Sequence, residues 1–232
     1  MSRRRTGKED SLSHEPALSP SAGGSSEREK IEHSVWEEPH LAHLHRGRVT
    51  PFSRLYAERV ESTTPLKSWG IALSAGVIGG PLAIIGAFLY GAGPLGPFVW
   101  GPTAEEVLKI AVIAMIVETR PYLLRHGYQI ITAAAVSALI FAAIENLLYL
   151  RIYIPEASGI LAAWRWNFGS LLHVSASMIA SLGLVKIWRE SQSDFTRPQF
   201  SGSLPYLIGA IILHGGYNLA VTIWERGWNP FP

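Results

Sequence analysis

The chain has 232 residues, is 48% hydrophobic, carries a formal charge of +2 and lacks cysteine. Without cysteine there are no disulfides, thiolate catalysis or thiolate metal sites, and so small a charge with no aromatic-basic patch gives no footprint for nucleic acid. Residues 1 to about 67 are polar and charged, whereas the rest alternates long apolar runs with short polar breaks, the pattern of one membrane domain behind an N-terminal tail.

The first region holds Arg3-Arg4-Arg5, a Ser/Gly/Pro-rich section around Ser19–Ser26 and then mixed charges. Its only stretch with a helical period is Phe52–Val60, short enough to lie at an interface. The expectation is a largely disordered cytoplasmic tail over 1–67 and a transmembrane helical domain over 68–232. His40, His43 and His45 sit close together, but no acidic or cysteine framework completes a metal site, so they read as incidental to a solvated tail. The first long apolar stretch begins near Trp69, too far into the chain for a cleavable signal peptide.

Five spans follow, which predicts an all-α, polytopic membrane bundle. Trp69–Tyr90 is uncharged with aromatic ends suited to the two interfaces, and Gly76 and Gly80 give a small-xxx-small spacing for close packing. Gly91–Pro97 reverses the chain. Phe98–Val117 is the second span, Tyr128–Leu150 the third, about Trp164–Trp188 the fourth and Ser203–Trp224 the fifth. Arg120, Arg125, Lys186, Arg189 and Arg197 fall on the tail's side, against Arg151, Arg165 and Arg226 on the other. By the positive-inside rule the N-terminus is cytoplasmic and the C-terminus extracytoplasmic, with the plasma membrane as the expected location.

The second span contains Gly101-Pro102-Thr103-Ala104-Glu105-Glu106-Val107-Leu108-Lys109. Three ionisable groups in mid-span would cost on the order of 8–10 kcal/mol if unpaired. At about 100° per residue, Glu105, Glu106 and Lys109 fall within roughly 100° of one another, so one polar face must meet partners inside the bundle. From the helical rise, Glu105 lies about 10 Å from the outer end of its span, Glu145 about 8 Å, His173 about 13 Å and His214 about 15 Å. Four residues on four spans thus reach a common layer. Each polar group also has a companion four positions away on the same face: Glu105 with Lys109, Phe141 with Glu145, His173 with Ser177, His214 with Asn218. Polar glue between helices would explain Ser177 or Asn146 alone, but three glutamates, a lysine and two histidines in one bundle point to function.

Membrane aspartates for aspartyl proteolysis are absent, since Asp10 and Asp194 are the only aspartates. No H-E-x-x-H motif is present. Ser170, Ser175 and Ser177 lie near a histidine but lack a Gly-x-Ser-x-Gly setting. What remains is a carboxylate–histidine site that activates water. Desolvation makes a glutamate a better general base, Lys109 keeps one carboxylate ionised, and histidine or asparagine donors stabilise an oxyanion.

Gly101-Pro102-x-x-Glu105-Glu106-x-x-Lys109, Phe141-Ala142-Ala143-Ile144-Glu145-Asn146-x-x-Tyr149, His173, and Leu213-His214-Gly215-x-Tyr217-Asn218 together resemble the PrsW family of intramembrane proteases. That family is similar to the CAAX-prenyl-endopeptidase and bacteriocin-processing superfamily. The resemblance covers about residues 95–224. It implies Glu105 as the water-activating base, with Glu106 and Lys109 completing its motif. It implies Glu145 as an assistant to the water, His214 with Asn218 as oxyanion donors, and His173 lining the site. It also implies an intramembrane endopeptidase acting on membrane-associated proteins or peptides, anti-sigma-factor-like regulators among them. Many members have more spans than five, and a long polar tail precedes this one. A non-catalytic membrane adaptor is the alternative class. A proton-coupled carrier ranks lower, because corresponding halves with broken helices are not evident. Two histidines and a carboxylate can hold a catalytic zinc, with Glu105, Glu145, His173 and His214 as the available donors. Lys109, one turn from Glu105, weighs against a cation there, so glutamate catalysis without metal is the expectation and zinc the alternative.

Overall fold

The computed structural model describes residues 59–88, 93–194 and 197–227. The histidines at 40, 43 and 45, nearly all of Phe52–Val60 and most of the expected tail lie outside the described residues. Among the described residues there is no strand, and six α-helices form a bundle: α1 (Pro65–Ala87), α2 (Gly101–Thr119), α3 (Gly127–Leu148), α4 (Gly159–Trp164), α5 (Ser170–Asp194) and α6 (Leu204–Gly227). Helix α1 starts four residues before Trp69. Thr64 caps it, its hydroxyl accepting from the Lys67 N–H at 3.3 Å, and Pro65 at the first position needs no N–H partner. Lys67 lies on this added first turn and is exposed at the helix end, where its stem can reach water.

Four stretches are long and apolar enough to cross a membrane: Pro65–Ala87, Gly127–Tyr153, Gly159–Ser193 and Leu204–Trp224. Helix α2 has 19 residues, and its charges are what distinguish it by composition. The geometry nevertheless makes it a crossing. Helices α1 and α3 run side by side in the same direction, Gly76 against Ala133 and Val136, Gly80 against Ser137 and Ile140. The chain must return through the bundle between them, and α2 is that return. It packs against α1, α3, α5 and α6, so its polar face is enclosed by the other spans. Helix α5 runs against α3, with Asn146 near Ser170 and Gly127 near Val185. Helix α6 runs against α5, with Gly183 near Ser203. The helical path traverses the bundle five times, four of its segments being long and apolar enough to cross a membrane against the five spans expected, and α1 begins at the opposite end from where α6 finishes.

Glycines set how closely these helices approach. A Cβ on Gly76 would lie 2.6 Å from the carbonyl oxygen of Ala133, and one on Gly79 would lie 2.6 Å from that of Lys109. Gly76 and Gly80 thus pack α1 on α3 as their spacing suggests, and Gly79 does the same for α2.

The two halves of the bundle differ. Toward the start of α1 the interior is apolar, built from Ala72, Ile113, Val117, Ile130, Leu184 and Ile187 among others. Toward the opposite end lie three π-turns, Gly96–Trp100, Tyr149–Tyr153 and Arg165–Gly169. They lead into α2, finish α3 and join α4 to α5. Exposed Trp100, Tyr153, Trp166 and Phe168 surround this end, as aromatic residues do at a membrane interface. Such turns accompany functional sites often enough to direct attention there.

Candidate active site

Helix α2 begins beneath the first π-turn and places its three ionisable groups inside the bundle, Glu105, Glu106 and Lys109 being 5%, 0% and 1% exposed. A buried charge is tolerated only when paired and hydrogen-bonded, and Glu106 meets that condition. Its Oε1 accepts from Lys109 Nζ at 2.5 Å and from His214 Nδ1 at 2.8 Å, and its Oε2 accepts from Ser177 Oγ at 3.1 Å. The partner of Lys109 is therefore the glutamate three residues back, not Glu105 four back. The ammonium also donates to His173 Nδ1 at 3.2 Å and lies 4.6 Å from the centre of the Phe141 ring.

From His173 the network continues to α3. The Nε2 of His173 is 3.0 Å from Glu145 Oε2, and Arg165 Nη2 lies 3.3 Å from the same oxygen. Asn146, next to Glu145, donates to the carbonyl of Arg165 and to Ser170 Oγ, both at 3.3 Å. The rings of His173 and His214 meet edge to face with centroids 4.8 Å apart. Glu105, Glu106, Lys109, Glu145, His173 and His214, drawn from four crossings, thus form one cluster in one layer. Asn218 stands apart, its amide donating to the Pro97 carbonyl at 2.9 Å and tying α6 to the first π-turn.

Glu105 is the exception within the cluster. Its Oε2 is buried without a hydrogen-bond partner, 3.7 Å from His214 Nε2. Nδ1 of His214 faces the Glu106 carboxylate and donates to it, which leaves Nε2 turned toward the second carboxylate, Glu105. Glu105 and His214 thus face each other at a separation too long for a direct hydrogen bond. Glu105 also lines a cleft of about 360 Å³ with Ile84, Phe88, Phe141, Glu145 and the two tyrosines of the second π-turn, Tyr149 and Tyr153. The carboxylate with spare valence is thus the one at the cleft.

A serine nucleophile lacks support, since Ser177 is bonded to Glu106 and Ser170 to Asn146. A metal can be tested against the same contacts. Glu105, His173 and His214 each offer a ligand atom within 4.8 Å of the others. Glu105 Oε2 and His214 Nε2 have lone pairs to give. His173 does not, because Nδ1 accepts from the ammonium of Lys109 and Nε2 is left to carry the hydrogen donated to Glu145. A third bond to zinc would require Lys109 or Glu145 to be displaced, with an ammonium beside the dication. Glu145, the further donor considered, is engaged by His173 and Arg165. The residues as arranged do not fit a zinc ion.

Sequence reasoning missed Arg165, counted there as an outer charge, and its stack on Tyr149, with Cζ 3.7 Å from the ring centre. Gly215 was read only as part of a motif. A Cβ there would collide with the carbonyl oxygen of Phe98, so Gly215 seats α6, and with it His214, against the start of α2. Gly215→Ala is expected to destabilise the protein by about 1–3 kcal/mol through overpacking. Thermal unfolding in detergent checks this. An unchanged melting temperature would mean that the contact yields freely.

Helices long and apolar enough to cross a membrane thus enclose a buried cluster of glutamates, a lysine and histidines beside a cleft. The sequence model of the PrsW family intramembrane metalloproteases matches residues 68–231, and the chain belongs to that family. It is an integral membrane protein and an intramembrane peptidase. No curated protein and no solved structure matches it.

Proposed function

We propose that the protein cuts peptide bonds of membrane-associated polypeptides with a water held between Glu105 and His214. The observation that carries this reading is the unpartnered Oε2 of Glu105 facing His214 Nε2 at 3.7 Å. Glu105 takes a proton from the water as its oxygen bonds to the scissile carbonyl carbon. When the C–N bond breaks, the same carboxyl returns that proton to the leaving nitrogen. His214 accepts the second hydrogen and so orients the attack. Glu106 and Lys109 hold His214 and His173 in place, and Glu145 supports His173 from the far side. Asn218 positions α6 through Pro97, and serves as an oxyanion donor only where that carbonyl releases it. The cleft's lining of Ile84, Phe88, Phe141, Tyr149 and Tyr153 suits an apolar stretch of substrate. The charge bias of the loops supports a cytoplasmic N-terminal side, and on that reading the cleft opens toward the extracytoplasmic leaflet.

The family description includes a metal, and the engagement of His173 by Lys109 speaks against one. The rival from another class is an adaptor that binds polypeptides without cutting them. Purified protein in liposomes with single-span candidate substrates separates these readings when the products are identified by mass spectrometry. Peptide fragments are expected, with His214→Ala lowering kcat roughly 10²–10⁴-fold, the range for a positioned acid–base group, while KM changes little. Substrate captured intact by both forms would favour the adaptor.

A further inference from the structure

We infer that Arg165 is a positioning residue for this reaction, acting through Glu145. The inference rests on the peptidase reading given above and adds a residue to it. Arg165 sits in the π-turn that joins α4 to α5, half-buried, with its Nη2 3.3 Å from Glu145 Oε2. Its guanidinium covers the face of Tyr149, and Tyr149 and Glu145 both line the cleft. Asn146 fixes its backbone by donating to the Arg165 carbonyl.

Two features separate this arrangement from a surface ion pair. Glu145 Oε2 receives both Arg165 and His173, so the arginine governs the oxygen that holds the histidine. Arg165 Nε, by contrast, is buried with no acceptor, a loss that packing alone does not explain. Glu145 shares the cleft with Glu105, and Arg165 is the cation in contact with it. Without Arg165, Glu145 is released toward a cleft that already contains one carboxylate. His173 then loses its anchor, and with it the far side of the Lys109–Glu106–His214 support beneath the water.

The test is a double-mutant cycle on Arg165 and Glu145, read with the fastest-cleaved member of a pool of quenched fluorogenic peptides. Arg165→Gln is expected to lower kcat about 10- to 100-fold, within the range of coupling between residues of one hydrogen-bond and ion-pair network, with KM within about twofold. In a Glu145→Gln background the same change should have no further effect, because coupled residues are not additive. Arg165→Lys should regain part of the rate, and it serves as the second variant if glutamine prevents folding. An equal loss from Arg165→Gln in both backgrounds would overturn the inference, as would an unchanged kcat. Glu105→Gln in the same assay keeps the two readings apart: activity without Glu105 overturns the base, whereas the cycle still reports whether Arg165 and Glu145 act together.

Discussion

Glu105→Gln is expected to abolish cleavage and to leave the melting temperature unchanged. Removing a general base costs about 10²–10⁴ in rate, and the amide cannot take the water's proton. The fold has little at stake, because Glu105 Oε2 has no partner to lose and a neutral amide is less costly to bury than a carboxylate. Its neighbour provides the contrast. Glu106 accepts from Lys109, His214 and Ser177, so Glu106→Gln breaks charge-assisted bonds at the centre of the bundle and should lower stability as well as rate. The pair is checked by cleavage and thermal unfolding of both variants in one detergent. Equal destabilisation by the two substitutions would show that Glu105 is structural too.

Lys109→Met is expected to destabilise the bundle by about 3–5 kcal/mol, the effect of removing one partner from a buried ion pair. The side chain is 1% exposed and Glu106 wholly buried, so water cannot replace the ammonium. Methionine fills a similar volume, which makes the lost charge the main change. Combining it with Glu106→Gln should recover part of the stability, because no unpaired carboxylate then remains. A double variant no more stable than Lys109→Met would locate the lysine's contribution at His173 or Phe141 instead.

Much of this site can be read from the sequence. Hydropathy marks four of the helical segments in order, and helical rise brings Glu105, Glu145, His173 and His214 to one layer, where they meet. Helical spacing is less informative about partners. Residues three and four apart both share a face, so spacing alone could not assign Lys109 to Glu106 rather than Glu105. That choice depends on His173 and His214, contributed by α5 and α6. The π-turns carry no residue signature. Read as an ordinary helix, the fourth crossing begins near Trp164 and puts Arg165 at its rim, whereas the helical path starts at Gly159 and Arg165 pairs with Glu145. Asn218, one turn beyond His214, is on the expected helix, yet its amide is held by a backbone carbonyl more than a hundred residues away in sequence.

The most direct measurement is the metal content and activity of the purified protein after stripping with a strong chelator in detergent. The engagement of both nitrogens of His173 predicts that cleavage persists with metal far below one equivalent per chain. Cleavage that vanishes on stripping and returns with one equivalent of zinc would contradict a water activated by Glu105 and His214 alone.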